Sequence, residues 1–486
     1  MTPSSHPVVR TSAGPVRGER RGDSVRFLGL PYAQPPVGEL RFAAPVPPVP
    51  WTEVREATAY GPTAQRRPLF EVTTIPEPSI PGDGTLNLNV FTPDAAPGAA
   101  LPVLVWIHGG GFLAGSAASP WYDGAAFNRD GIVVVTIGYR LGIEGFLHLS
   151  DAPDNRGVLD WIAALEWVQE NIAAFGGDPR KVTVAGQSAG GGAVQTLLAT
   201  PGARGLFRGA ISMSGAVMSP QERETAEAVS RLFTARTGLA ATAAALRGRT
   251  EDELLALRDQ LTAPGPDRDA LPMLALAPFA DGKLIPQAVP DALAHGGAGT
   301  DIPLLAGSTT HEFNAIPHPG ATHTDLRALL TGLGLGEEGI RRFLDLYEAP
   351  TEADPAALMG QAVTDATFRA PALRLAEGRA RASAPTWLYE FGWTGTVLPG
   401  LAYHCTDLPF AFDLLDAPGV AAALGDTAPQ LLADAMHGAW VSFVRDLDPG
   451  RHWPPYTTGG RATMLFGAEA RVDEDPLRAV REIWQG

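Results

Sequence analysis

A tight turn between a predicted strand and a predicted helix constrains the fold of this chain more than any other feature. The turn is Gly186-Gln187-Ser188-Ala189-Gly190, which follows the apolar run 182–185 and precedes the helix-forming run 193–198. It fits the pattern G-x-S-x-G, in which the turn is too tight for Cβ atoms on either side of the serine. Such a turn strains the serine and exposes its Oγ. A glycine-rich packing turn is the alternative, but the strand before it and the helix after it favour Ser188 as a nucleophile.

Helices and buried strands alternate along the chain around this turn. After Asn155, apolar residues recur at three- and four-residue spacing and predict a helix that ends at Gly176-Gly177. Short apolar runs predict strands that are buried on both faces, and these runs are 25–30, 86–91, 103–107, 132–137, 182–185, 210–213, 302–306 and 387–391. The alternation predicts an α/β protein with a large, mostly parallel central sheet flanked by helices.

We expect one domain over residues 1–486. The candidate functional residues extend from residue 108 to residue 404, and no Gly/Ser-rich or charge-rich linker separates them. Stretches rich in Ala, Leu and charged residues predict helical insertions at about 216–300 and 313–385, which would wall the active-site gorge. The candidate apolar linings of that gorge, each of which could equally be a core residue, are Leu113, Phe279, Phe313, Phe368 and Phe412.

Charge and composition limit the partners of the chain. Its formal net charge of −16 disfavours nucleic acid and anionic membranes as partners, because both require a basic surface. Cys405 is the only cysteine, so no internal disulfide can form. The N-terminal residues lack a signal-like apolar stretch, and no run is long enough to span a membrane, so we expect a cytoplasmic protein. We expect neither a cofactor nor a metal, and the oligomeric state stays open.

A second glycine-rich segment follows the predicted strand 103–107. Its sequence is His108-Gly109-Gly110-Gly111-Phe112, and its glycines leave backbone N–H groups free to approach a ligand closely. An oxyanion hole requires such donors, and we predict that they are the amides of Gly110, Gly111 and Ala189. The alternatives are a flexible loop and a phosphate cradle, although a phosphate loop would end in G-K-[ST], which is absent here.

A nucleophilic serine in this kind of turn requires a histidine, which follows an acid in the chain. Seven histidines follow Ser188, and His404 lies in a loop after the predicted strand 387–391, where catalytic groups collect. This position favours His404 without excluding the others. His437 lies in an amphipathic stretch and His452 in a turn before Trp453, so we expect both to be structural.

The acid is harder to identify, because many carboxylates lie between Ser188 and His404. Glu312 follows the predicted strand 302–306 and a short turn, in the same relation to its strand as His404. Asp281 and Asp365 remain alternatives at this point.

Ordered motifs over almost the whole chain resemble the type-B carboxylesterase family. The motifs lie at 14–18, 27–33, 86–91, 108–112, 139–142, 175–179, 440–443 and 453–454. The resemblance implies the α/β-hydrolase fold and a carboxylic ester hydrolase that works without a cofactor. It also implies small to medium ester substrates, of the p-nitrophenyl or p-nitrobenzyl ester type, and an acyl-enzyme intermediate.

The same resemblance implies roles for individual residues. Residues 307–312 match the family's G-[ST]-x-x-D-E segment, which makes Glu312 the acid. His404 matches the family's histidine four residues before an L/I-P-F/Y element, here 408–410. With Ser188 they would form a Ser-His-Glu triad. The resemblance also implies that Ser214, which is not part of the triad, supports the acid.

The chain departs from the family pattern near these residues. Gln187 stands where the family usually has Glu, and His311 replaces the usual Asp before the acid. Gly138 replaces an Asn that is common in the family, Thr85 replaces a family cysteine, and Trp161 replaces a Gln that is frequent there. None of these departures removes a catalytic group, but Gln187 and His311 could retune the triad.

Overall fold

The structure is a computed structural model that describes residues 6–65, 67–68, 74–215, 221–269, 271–295, 297–347 and 354–484. Numbered in chain order, the strands within these residues are β1 (Val8–Arg10), β2 (Pro15–Arg17), β3 (Glu19–Arg21), β4 (Ser24–Pro31), β5 (Arg55–Glu56), β6 (Asn87–Thr92), β7 (Leu101–Ile107), β8 (Val133–Ile137), β9 (Gly177–Gln187), β10 (Gly209–Met213), β11 (Leu304–Thr309), β12 (Thr386–Phe391), β13 (Ala462–Phe466) and β14 (Ala470–Glu474).

The α-helices of the same residues are α1 (Ala125–Arg129), α2 (Gly142–Phe146), α3 (Arg156–Asn171), α4 (Ala189–Ala199), α5 (Arg223–Thr237), α6 (Ala243–Leu246), α7 (Glu251–Thr262), α8 (Pro266–Asp269), α9 (Val289–Ala294), α10 (His323–Gly332), α11 (Glu337–Tyr347), α12 (Pro355–Thr364), α13 (Ala370–Arg381), α14 (Leu408–Ala411), α15 (Val420–Leu424), α16 (Gln430–Asp446) and α17 (Arg478–Trp484). Short 3-10 turns lie at Gly38–Leu40, Pro120–Tyr122, Ile172–Phe175 and Pro201–Ala203, and a π-helical turn at Asp365–Arg369 joins α12 to α13.

Eleven strands form one sheet in the order β14-β13-β12-β11-β10-β9-β7-β8-β6-β4-β3. The strands from β8 to β13 in this order pair in parallel, while both margins of the sheet are antiparallel. A separate small sheet has the order β1-β2-β5. Because the central strands run in parallel, their carboxyl ends all open on the same edge of the sheet, which is where ligand sites form in such proteins.

Helices cover both faces of the large sheet. Alternate residues of β7 contribute to two different hydrophobic clusters: Val103 and Val105 pack on one side, Leu104 and Trp106 on the other. The first cluster contains the apolar stripes of α3 and α4, and the second contains those of α1 and α16. Burial on both faces explains why the central strands are apolar throughout rather than alternating with polar residues.

All eight predicted strands are present, as β4 and β6–β12. The helix predicted after Asn155 is α3, which tightens into a 3-10 turn and ends at Gly176 with a φ of 88°. The patterns did not predict β1, β2, β3, β5, β13 or β14, which are short and lie in the small sheet or at the margins of the large one.

The two stretches in which helical insertions were predicted contain helices joined by non-helical segments, such as residues 271–288. Helices α5–α9 lie between β10 and β11, and α10–α13 lie between β11 and β12. Residues 216–220, where the first insertion was expected to begin, lie outside the described residues. None of the helices in the described ranges is both long enough and apolar enough to cross a membrane.

Candidate active site

Four neighbouring strands carry the candidate residues to one edge of the sheet. The strands β9, β10, β11 and β12 are adjacent and parallel. Ser188 follows β9 directly, Ser214 follows β10, Glu312 follows β11 by three residues, and His404 lies in the loop after β12. Residues that are distant in the sequence therefore meet at the carboxyl edge because their strands end there.

The turn at Ser188 is as tight as its glycines predict. Ser188 has φ 57° and ψ −124°, a conformation that costs a non-glycine residue on the order of 1–3 kcal/mol. A Cβ on Gly190 would lie 2.0 Å from the carbonyl oxygen of Ile107, and one on Gly186 would lie 2.4 Å from that of Gly190. The Ser188 amide donates to Met213 O at 2.9 Å, which holds the turn against β10.

Ser188, His404 and Glu312 form one row of hydrogen bonds. Ser188 Oγ lies 2.9 Å from His404 Nε2, and His404 Nδ1 contacts Glu312 Oε2 on the opposite side of the ring. The Nδ1–H donates to the carboxylate, so Nε2 is free to accept the serine proton. The His404 side chain is 18% exposed and the Glu312 side chain is fully buried, so one end of the row is open to solvent.

Two further donors hold the carboxylate of Glu312. Ser214 Oγ donates to Glu312 Oε1 at 2.6 Å, and the backbone amide of Thr309 donates to the same oxygen at 2.8 Å. Both oxygens of this buried carboxylate therefore have partners, as a charge in the protein interior requires. The support implied for Ser214 corresponds to this contact, whereas the sequence did not point to Thr309.

The surroundings of His404 raise its pKa well above the usual value for histidine. Burial alone disfavours the charged imidazolium, but Cys405 and the carboxylate of Glu312 outweigh it. Burial also raises the pKa of the Cys405 thiol, which keeps that thiol neutral near pH 7. Glu312 is therefore the group that stabilises the positive imidazolium at this pH.

His311 ties the loop of the acid to the loop of the base. Its backbone N–H donates to Ala402 O at 3.0 Å, its Nδ1 accepts from the Ala402 amide at 3.1 Å, and the His404 amide donates to Glu312 O at 2.9 Å. Burial and the nearby charge of Arg369 lower the pKa of His311 to about 4. The ring is therefore neutral at pH 7, as an accepting nitrogen must be.

The loop at 108–112 passes beside the serine turn. Gly110 and Gly111 have φ of 105° and 61°, which glycine adopts without a steric penalty. Tyr139 Oη donates to His108 O at 2.9 Å and anchors the start of the loop. Ala189 is the first residue of α4, so its amide has no partner within the helix. Among the described backbone carbonyls, none accepts a hydrogen bond from the amides of Gly110, Gly111 or Ala189.

The other candidate acids lie in different surroundings. Asp281 accepts hydrogen bonds from the amides of Lys283 and Ile285 and shapes a turn. Asp365 forms a buried ion pair of 2.7 Å with Arg369 in the π-helical turn. Both carboxylates are therefore committed to local structure.

The other candidate histidines also bond elsewhere. His437 bonds to Ala411 O at 2.9 Å and to the carboxylate of Asp130 at 3.1 Å. His452 is exposed, and its Nε2 accepts a hydrogen bond from Nε of the preceding residue, Arg451. Both positions agree with the structural roles that were expected for these two residues.

Two of the five candidate apolar linings contact the candidate histidine His404. The rings of Phe313 and Phe368 lie with centroids 5.2 Å from that of His404, and 5.0 Å from each other. Phe412 instead packs in the core against Trp106. The remaining two are partly buried Leu113 and buried Phe279.

The sequence singled out Gln187 only as a departure from the family pattern, and it did not point to Asp407. Gln187 Nε2 lies 3.2 Å from His404 Nε2, so the departure from the family pattern directly contacts the base. Asp407 is fully buried, and burial together with the charge of Glu312 raises its pKa to about 7. Its position three residues after His404 was the available signal.

No group of three His, Cys, Asp or Glu side chains in the described ranges is arranged to hold a metal ion.

Comparisons with known proteins agree over the whole chain. The sequence profile of the carboxylesterase family matches residues 5–484. A para-nitrobenzyl esterase of Bacillus subtilis is 37% identical, with 98% of each chain covered. A fumonisin B1 esterase of Sphingopyxis macrogoltabida is 34% identical, with 96% of this chain and 87% of the relative covered.

Solved structures give the same result. A thermophilic PNB esterase superposes with a TM-score of 0.86 at 35% identity, over 99% of this chain and 100% of the other. A carboxylesterase of Geobacillus stearothermophilus superposes with a TM-score of 0.85 at 36% identity, over 98% and 100%. The predicted α/β-hydrolase fold is confirmed by these superpositions. The chain belongs to the carboxylesterase family, and it is a carboxylesterase that hydrolyses carboxylic esters.

Proposed function

We propose that Ser188, His404 and Glu312 are the catalytic triad of this esterase, and that it acts on small to medium esters of the p-nitrophenyl or p-nitrobenzyl type. The observation that carries the proposal is the continuous row from Ser188 Oγ through His404 to Glu312, in which each polar atom faces a partner of the right kind. The similarity to the para-nitrobenzyl esterase of Bacillus subtilis supports the substrate class.

In the first half of the reaction Ser188 Oγ attacks the ester carbonyl carbon while its proton passes to His404 Nε2. The carbonyl oxygen becomes an oxyanion, for which the amides of Gly110, Gly111 and Ala189 are the proposed donors. Ala189 also lies at the positive end of the α4 dipole, which favours a negative charge there. His404 then gives its proton to the leaving alcohol as the C–O bond breaks, and the acyl group stays on Ser188.

In the second half a water molecule takes the place of the alcohol. It gives its proton to His404 Nε2 as its oxygen attacks the acyl carbon, and Ser188 Oγ recovers that proton when the acid leaves. Throughout both halves Glu312 keeps Nδ1 protonated, so the lone pair of Nε2 stays directed at the reacting oxygen. Its charge also offsets the positive imidazolium that exists in each intermediate.

Replacing the nucleophile tests the proposal. We expect S188A to lower kcat for p-nitrophenyl butyrate by a factor on the order of 10⁴–10⁶. In wild type, a burst of p-nitrophenol equal to the enzyme concentration should precede steady turnover when deacylation is slow. Mass spectrometry of the quenched protein should then find the acyl group on the peptide that contains Ser188.

A matched control separates chemistry from folding. Ser230 is another buried serine, and its Oγ donates to His148 O at 2.7 Å. We expect S230A to keep kcat within about twofold while losing a little stability. If S188A retained the wild-type rate, or if the acyl group were found on a different peptide, the proposal would be wrong.

A further inference from the structure

The neutral side chain of Gln187 contacts the same ring nitrogen of His404 as the nucleophile Ser188. Its Nε2 lies 3.2 Å from His404 Nε2, and Ser188 Oγ lies 2.9 Å from the same nitrogen. In the neutral ring this nitrogen has a single lone pair, because Nδ1–H faces Glu312. Two donors, a hydroxyl and an amide, therefore compete for one acceptor whenever the ring is neutral.

The other end of the same amide is buried. Among the residues that the structure describes, none donates a hydrogen bond to Gln187 Oε1. A Cβ on Gly109 would lie 3.1 Å from this oxygen, so the glycine-rich loop closes directly over it. Leaving a buried carbonyl unpaired is unfavourable, and the arrangement is expected to persist only if the oxygen is used in another state of the site.

Proton transfer creates a state in which this oxygen has a partner. When Ser188 Oγ passes its proton to His404, Nε2 becomes a donor and can no longer accept from the amide. A half-turn of the side-chain amide exchanges its nitrogen and oxygen, which have almost the same size and shape. Oε1 then accepts from the imidazolium N–H, in a charge-assisted bond that is stronger than the neutral bond it replaces.

We propose that Gln187 is a positioning residue that donates to the neutral ring of His404 and, by reversing its amide, accepts from the imidazolium. The inference rests on the proposed triad and deepens it. No bond to Gln187 is made or broken in the reaction: the proton moves from Ser188 Oγ to His404 Nε2 and on to the leaving alcohol. Because the charged state gains the stronger bond, Gln187 stabilises the imidazolium more than the neutral ring.

The stabilisation of the His404 imidazolium by Gln187 should be measurable beside the effect of the charged groups around the ring. Glu312 faces Nδ1, and Asp407 acts on the ring from the loop that follows it, where the neutral thiol of Cys405 also lies. The uncharged rings of Phe313 and Phe368 contact the ring as well. Among the described residues, Gln187 and Ser188 are the polar side chains that bond to Nε2, so changing residue 187 alters one of these two contacts.

Two variants of the full chain test the proposal through the pH dependence of kcat/KM for p-nitrophenyl butyrate. Q187M keeps the length of the side chain but removes both polar ends. We expect the acid limb of its profile to move to lower pH and its kcat to fall about 10- to 100-fold, with KM unchanged. Q187E supplies a permanent acceptor and a negative charge, so the acid limb should move to higher pH.

The direction of the shift distinguishes the proposal from simpler roles. If the amide only donated to the neutral ring, Q187M would move the acid limb to higher pH, and that result would overturn the proposal. An unchanged limb with unchanged kcat, or a change in KM alone, would overturn it as well. If Q187M fails to fold, the isosteric Q187E still decides the matter, since an acid limb that does not rise contradicts the acceptor role.

A second glutamine and the nucleophile variant serve as controls. Gln169 lies on α3 and donates to the carbonyl oxygens of Pro179 and Leu206, neither of which belongs to the proposed triad. We expect Q169M to leave the acid limb in place. If S188A were active, the triad itself would be wrong; if S188A is inactive and Q187M behaves like wild type, only the role of Gln187 fails.

Discussion

Replacing Glu312 with glutamine perturbs the proposed triad with almost no change in shape. The carboxylate accepts from His404 Nδ1 on one oxygen and from Ser214 Oγ and the Thr309 amide on the other. A glutamine amide has one end that can only donate. In one orientation its NH₂ faces Nδ1, which must then accept, so the ring proton moves to Nε2 and the ring cannot take the proton of Ser188.

The opposite orientation of the amide is also costly. Its NH₂ would then face the Thr309 amide, a buried donor that cannot become an acceptor. An unpaired buried donor costs about 1–3 kcal/mol, so the unproductive orientation is favoured by roughly 5- to 150-fold. The loss of the charge-assisted bond to the imidazolium adds about 1.5–3 kcal/mol to the barrier. Together these effects predict a kcat for E312Q that is lower by about 10²–10⁴.

Single-turnover measurements with p-nitrophenyl butyrate test this expectation, because they report the acylation step directly. Glu377 offers a matched control, since it is also buried and accepts from Tyr456 Oη at 2.9 Å and Arg461 Nε at 2.8 Å. E377Q should lower the melting temperature without lowering kcat. If E312Q retained kcat to within tenfold of wild type while remaining folded, the carboxylate would not be orienting His404 and the reasoning would be refuted.

Three further predictions follow from the same geometry. S214A removes the 2.6 Å bond to Glu312 and should lower kcat about tenfold in steady-state assays, and an unaltered kcat would contradict its supporting role. G190A places a Cβ 2.0 Å from Ile107 O, so we expect little folded protein, and a melting temperature close to wild type would show that the turn can relax. Because the pKa of His404 is raised and catalysis requires the neutral ring, kcat/KM should fall as pH decreases, with a midpoint above the usual histidine value of about 6.5; a midpoint below it would contradict the electrostatic argument.

The sequence could predict the central sheet because burial on both faces leaves continuous apolar runs. Each of the strands β4 and β6–β12 carries such a run, and each was predicted. Most of the strands that were missed lack such a run, although β13 is partly apolar. β5 has only two residues, both exposed, and the outer strand β14 is exposed or half-buried along its length. Their pairing depends on neighbours that a local pattern cannot contain.

The residues of the candidate site differ in how far the sequence alone could identify them. The glycines on either side of Ser188 identify the turn, because no other residue fits beside Ile107 O. His404 and Glu312 could be proposed because parallel strands bring their ends to one edge, but choosing them over other residues required the family resemblance. Asp407 and the Thr309 amide were not predicted, since their importance comes only from lying beside Glu312 in three dimensions.

The departures from the family pattern have a common electrostatic effect. Gln187 is a neutral amide beside the ring nitrogen that takes the proton, and His311, whose pKa is lowered to about 4, is neutral at pH 7. A carboxylate at either position would add a negative charge near a site where Glu312 is already fully buried. The charge of Glu312 already raises the pKa of the nearby Asp407. Neutral side chains at positions 187 and 311 therefore leave Glu312 as the carboxylate that faces the imidazolium directly.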